Sequence, residues 1–157
     1  KQDFTRRLSR CNRGEMIIIM YEIGFCYLEE TKEQYETDHE SFKQSIRKVI
    51  AVMDELIHAL DFSYEISSDL YQIYSYCKKE LFVAMSRNRT DEIEEVERLL
   101  KKLYASFLIV AKQDTSEPLM TNTQQVYAGI TYQKNNLNEN YIELPYKDTL
   151  TNVVNEL

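Results

Sequence analysis

The stretch from Glu15 to Leu28, Glu-Met-Ile-Ile-Ile-Met-Tyr-Glu-Ile-Gly-Phe-Cys-Tyr-Leu, constrains the fold of this chain more than any other. Its length favours a helix over a strand. On a wheel turning by roughly 100° per residue, Ile17, Met20, Gly24, Tyr27 and Leu28 form one broad stripe. Glu15, Glu22 and Glu29 mark the opposite side, yet Ile18, Ile19, Phe25 and Cys26 crowd close to those glutamates. A helix apolar nearly all round is either enclosed by protein or covers something else. One core does not need that much apolar surface, and the rest of the chain has to account for the surplus.

Three glycines and two prolines in 157 residues leave room for long uninterrupted helices, and the length suits one domain with a substantial core. Phe4, Leu8 and Cys11 fall at helical spacing on a first segment that carries Arg6, Arg7 and Arg10 on its other sides. So short a helix is unstable alone and needs a surface to lie on. Asn12 and Glu15 have the spacing of a capping box, which starts the first long helix there, running to about Glu36. The second long helix places Phe42, Ile46, Val49, Met53, Leu56 and Leu60 on one face, with Lys43, Lys48, Asp54 and His58 opposite. The third, from Ile66 to Arg87, has a stripe of Leu70, Tyr74, Cys77, Leu81 and Ala84. It too has a surplus: Tyr71 and Phe82 flank one side of the stripe, Tyr76 and Val83 the other. The fourth opens at Thr90 or Asp91, with Glu92, Glu94 and Glu95 set against the positive helix terminus, and continues through Ile93, Val96, Leu100, Leu103, Phe107 and Val110.

This pattern predicts an all-α fold, an antiparallel four-helix bundle with a short N-terminal helical arm and a mostly irregular C-terminal tail. Residues 1–114 make the bundle domain. From Thr115-Ser-Glu-Pro118 the periodicity stops, and residues 115–157 read as a tail that docks on the bundle. Val126, Tyr127, Ile130, Tyr132, Tyr141, Leu144 and Tyr146 make it too apolar for ordinary disorder, and Leu150, Val153, Val154 and Leu157 are spaced as one face of a two-turn helix. Burying a Leu or Val is worth about 1.5 to 3 kcal/mol against an ordering cost of about 1 to 2 kcal/mol per residue, so only a good groove would hold such a piece.

The composition argues against several classes of function. A net charge of -7 is wrong for nucleic-acid binding, and no apolar run spans a bilayer or resembles a signal peptide, which points to a soluble cytoplasmic protein. The three cysteines, Cys11, Cys26 and Cys77, have neither disulfide-framework nor zinc spacing and read as small buried hydrophobes. Glu36 with His39 and Glu55 with His58 match the Glu-x-x-His pattern of di-iron bundles, but Glu55 and His58 lie nearly opposite the apolar stripe and the other pair sits at a helix end. No metal or other cofactor is expected. With two histidines, both expected at the surface, and no Gly-rich phosphate loop or nucleophile elbow, catalysis is not expected either. Twelve tyrosines without a tryptophan remain. Tyr74 and Tyr104 read as half-buried core residues, while Tyr71 and Tyr76, off the stripe, suit a binding surface.

Several segments together resemble one family: Glu15-Met-Ile-Ile-Ile-Met-Tyr-Glu22 leading to Leu28-Glu-Glu30, then Leu60-Asp-Phe62, Asp69-Leu-Tyr-Gln-Ile-Tyr-Ser-Tyr76 and Glu95-Val-Glu-Arg-Leu-Leu100. In order and spacing, from about Asn12 to Asp114, they resemble the flagellar secretion chaperones, the FliS family. The resemblance implies an antiparallel bundle that binds the disordered C-terminal segment of flagellin in the cytoplasm, prevents premature polymerisation and keeps the subunit competent for secretion. It also implies the flagellar export apparatus as a further partner. A client whose helices form only on binding would lay them into grooves built from the surplus, namely Ile18, Ile19, Tyr21 and Phe25 on the first long helix and Tyr71, Tyr76 and Phe82 on the third. Phe4 and Leu8 of the arm, with Leu150, Val153, Val154 and Leu157 of the tail, would cover these grooves when no client is present. The free protein is expected to be a monomer or weak dimer. The alternative is a structural bundle that homodimerises through its surplus apolar surface.

Overall fold

The structure, a computed structural model, describes residues 2–120. The tail positions Leu150, Val153, Val154 and Leu157 lie outside the described residues. Five helices follow in order: α1 (Gln2–Leu8), α2 (Arg13–Gln34), α3 (His39–His58), α4 (Ile66–Arg87) and α5 (Asp91–Ala111). The expected capping box starts α2, with the Asn12 side chain accepting from the Glu15 N–H at 2.8 Å and the Glu15 carboxylate accepting from the Asn12 N–H at 3.0 Å. Asp38 caps α3 by accepting from the N–H groups of Glu40 and Ser41. Asn88 ends α4 in the left-handed region at φ 52°, a conformation Asn tolerates better than most residues.

The four long helices form a closed antiparallel bundle, as the periodicity predicts. Helix α2 packs on α3 and α5, and α4 completes the ring between them. Gly24 lies against Val52, and Lys48 of α3 reaches Glu30 and the Tyr27 ring of α2. At one end Lys32 of α2 meets Glu97 of α5 at 2.5 Å, and at the other Gly14 meets Asp114 just beyond α5. The diagonal pair, α2 and α4, meets through the core, where the hydroxyls of Tyr21 and Tyr74 are 2.7 Å apart. Tyr27, Leu28, Phe42, Met53, Leu81 and Leu100 are buried in the same core cluster.

The apolar circumference of α2 is therefore enclosed by protein. Helices α3 and α5 cover two sides, and α1 lies on a third, with Phe4 and Leu8 packed against the core. What remains exposed on α2 is Arg13, Glu15, Cys26, Glu29 and Glu33. Four sequence-based expectations change here. Cys26 is exposed, unlike buried Cys11 and Cys77. Ile17, placed in the stripe by the wheel, is only half-buried, and Glu55, expected on the solvated face, is buried. Val110 is exposed because the bundle has ended by the last turn of α5.

Candidate functional site

The sequence-predicted binding residues fall into three places rather than one. Ile19 and Tyr21 are 2% and 1% exposed and belong to the central core, so they offer nothing to a ligand of the closed bundle. The expectation that they line a surface groove is corrected by the number of helices around α2. Ile18, also buried, stands outside that central cluster, and Phe25 is half-buried. On the wheel both flank Glu22, the residue that holds the arm. The Arg7 guanidinium of α1 pairs with the Glu22 carboxylate, whose other oxygen accepts from the Tyr104 hydroxyl of α5 at 3.0 Å. The bond to Glu22 raises the Arg7 pKa further above its ordinary value. Phe25 stacks edge-on against Tyr104 at 5.4 Å, and Tyr21 lies 5.7 Å from Phe107. The α2–α5 seam is thus aromatic, and α1 is pinned over it by a single ion pair.

The third place is α4. Tyr71, Tyr76 and Phe82 are exposed, as the sequence predicts, at 46%, 43% and 49%. They form two shoulders. Tyr71 and Phe82, eleven positions apart and so nearly aligned on the wheel, stand on the side where Lys78 pairs with Asp54 of α3. Tyr76 stands on the side of α5, close enough to Glu95 and Arg98 to feel both charges. Between the shoulders runs a shallow open depression lined by Ser75, Lys79, Phe82, Val83 and Ser86.

A further apolar surface was not singled out from the sequence. At the end of the bundle where α2 and α4 begin and α3 and α5 finish, Phe62, Tyr64, Ile66, Ile109, Val110, Leu119 and Met120 are exposed. Phe62 and Tyr71 meet edge-on at 6.1 Å. The available signal was two aromatic residues in the polar link Asp61-Phe-Ser-Tyr-Glu65, where a connection needs neither.

Burial shifts several titratable groups toward their neutral forms. Burial pushes the Tyr21 hydroxyl far above its ordinary range and that of Tyr74 to about 12. Burial also raises the Cys77 thiol to about 11 and raises the Glu55 carboxyl. Among the described residues no cluster of His, Cys, Asp and Glu could hold a metal ion, and no helix is long and apolar enough to cross a membrane.

Such an arrangement defines a class: an antiparallel helical bundle that exposes aromatic and aliphatic side chains in groups on α4 and at one end. The family model described as flagellar protein FliS matches residues 2–114, and the chain belongs to that family of flagellar export chaperones. No curated protein matches it.

Proposed function

We propose that this chaperone binds the disordered C-terminal segment of flagellin, prevents its premature polymerisation and keeps it competent for export through the flagellar apparatus. The observation that carries the reading is the pair of exposed aromatic shoulders on α4, on a bundle already closed without them. Soluble monomers rarely expose such residues in groups unless a partner covers them. An amphipathic client helix would set apolar anchors against Tyr71 and Phe82 on one shoulder and Tyr76 on the other. The seam holding Ile18 and Phe25 would take a second client helix in place of α1, whose seven residues are too few to persist unsupported. The arm then acts as a competitor, and docking of the segment with Leu150, Val153, Val154 and Leu157 would add to it.

Titration calorimetry with a flagellin C-terminal peptide tests this. Phe25→Ala and Tyr71→Ala should each weaken binding by about tenfold or more, or about 1.4 kcal/mol, with the helical circular dichroism unchanged. Arg7→Ala, which frees the arm, should tighten it. Unchanged affinity in both aromatic variants would remove the site assignment. Light scattering of the mixture should give a one-to-one complex, and a persistent dimer unaffected by peptide would favour a structural bundle instead.

A further inference from the structure

The apolar end of the bundle is the surface that neither the core nor the α4 shoulders explain. Phe62, Tyr64, Ile66 and Tyr71 form a patch there, with the first three each at least 60% exposed. Glu65 and Asp69 border it, both exposed and neither with an ion-pair partner among the described residues. The occupant should therefore be apolar and aromatic, free of acidic groups, and able to reach this end.

The chain's own continuation has these properties. The Leu119 N–H donates to the Cys11 carbonyl at 2.9 Å, which ties the exit of the chain to the joint between α1 and α2. That joint is next to Arg13, whose charge acts on Asp61 in the link that carries Phe62 and Tyr64. The exit point and the patch therefore share one end of the bundle. Neighbouring helices lie about 8 to 10 Å apart, so the diagonal is about 14 Å, whereas six residues beyond Met120 span up to about 20 Å. From Val126, six positions on, the chain is therefore long enough to reach the patch, and Tyr127, Ile130 and Tyr132 follow it. Thr121 to Asn138 contains no acidic residue and one lysine, Lys134, in a chain of net charge -7. The later stretch, with Glu139, Glu143, Asp148 and Glu156 against Lys147, would bring repulsion to the same rim.

We propose that the segment Thr121–Asn138 folds back over the Phe62–Tyr64–Ile66–Tyr71 patch, with Val126, Tyr127, Ile130 and Tyr132 as its anchors. This goes beyond client binding and does not rest on it, although Tyr71 belongs both to this patch and to the α4 shoulder. The contact is within one chain, so its strength does not vary with protein concentration.

The 157 residues hold no tryptophan, so Phe62→Trp in this chain gives an emission signal from this site alone. Emission should be blue-shifted and shielded from acrylamide, equally at low and high protein concentration. Adding Tyr127→Ser, Ile130→Ser and Tyr132→Ser should shift it to the red and raise the quenching constant severalfold. An unshielded indole in the parent variant would overturn the proposal. So would shielding that disappears on dilution, which would assign the patch to a second copy, or shielding that survives the three serines. Hydrogen exchange on the chain without the tryptophan gives an independent reading, since the three serines should speed exchange around Phe62 to Tyr71. No change there would count equally against the proposal.

Discussion

Helices α2 and α4 carry the same excess of apolar residues over a single stripe, and the fold uses the two excesses in opposite ways. Helix α2 is surrounded by α3, α5 and the arm, so its extra Ile19 and Tyr21 are core, while Ile18 is buried beside that core and Phe25 is half-buried. Helix α4 has two neighbours and leaves Tyr71, Tyr76 and Phe82 in solvent. An apolar surplus in a helix therefore does not by itself mark a binding face. What decides is how many partners the topology supplies, and the helix that gains the arm as a third is the one that disappears from the surface.

The contrast is sharpest in stability. Leu28, on α2, is fully buried, and Leu28→Ala should lower the free energy of unfolding by about 2 to 5 kcal/mol through lost burial and a residual cavity. Phe82→Ser on α4 should change it by no more than about 0.5 kcal/mol, as for other exposed positions. Urea titrations of the two variants measure both. A loss of several kcal/mol from Phe82→Ser would mean that the α4 shoulder is structural after all.

A smaller effect is expected where the two helices touch. Tyr21→Phe removes one hydroxyl of the 2.7 Å pair and leaves that of Tyr74 buried without its partner, at a cost of about 1 to 3 kcal/mol. Replacing both tyrosines by phenylalanine should cost less than the two single changes added together, because no hydroxyl is left stranded. The double-mutant cycle in urea checks this, and simple additivity would show that the pair is not coupled.

Much of this was legible in the sequence, because it is local. The limits of α4 and the start of α5 follow from spacing, and the start of α2 from the capping box of Asn12 and Glu15. The exposure of Tyr71, Tyr76 and Phe82 also follows, since each lies well off a stripe that one core fills. The fate of Ile18, Ile19 and Tyr21 does not. Periodicity reports which side of a helix meets its neighbours, not how many neighbours there are, and the third one arrives through Arg7 and Glu22, fifteen positions apart. Glu55 was misjudged for a related reason, its wheel position lying away from the stripe although the packed neighbours bury it. Phe62 and Tyr64 went unremarked because a link between helices has no period against which an aromatic residue stands out.

The arm joint offers the finest test, since there the enclosure of α2 depends on a few polar contacts. Asp114 accepts from the Gly14 N–H at 3.1 Å, and its backbone carbonyl accepts from the Asn12 side chain at 3.3 Å. Its carboxyl is held below the ordinary value of 3.8 by bonds from the Ser116 hydroxyl and N–H, with the Gly14 N–H adding to them. A carboxyl depressed in the folded state contributes fully above its unfolded value, and the contribution is lost as pH falls through the lower folded one. Acid should therefore open this joint, read as deuterium uptake by the Gly14 amide corrected for intrinsic exchange, while faster exchange at near-neutral pH would contradict the assignment. Gly14→Ala approaches the same contact sterically. A methyl group there would lie 2.9 Å from the Asp114 carboxylate and 3.3 Å from the Ala111 backbone. The side chain can swing away at small cost, and alanine gains up to about 1 kcal/mol of helix propensity over glycine. The global change should thus be close to zero while the joint loosens, leaving α1 easier to proteolyse with the urea midpoint unmoved. A fall in both together would mean that the arm is an integral part of the core rather than a cover on the seam.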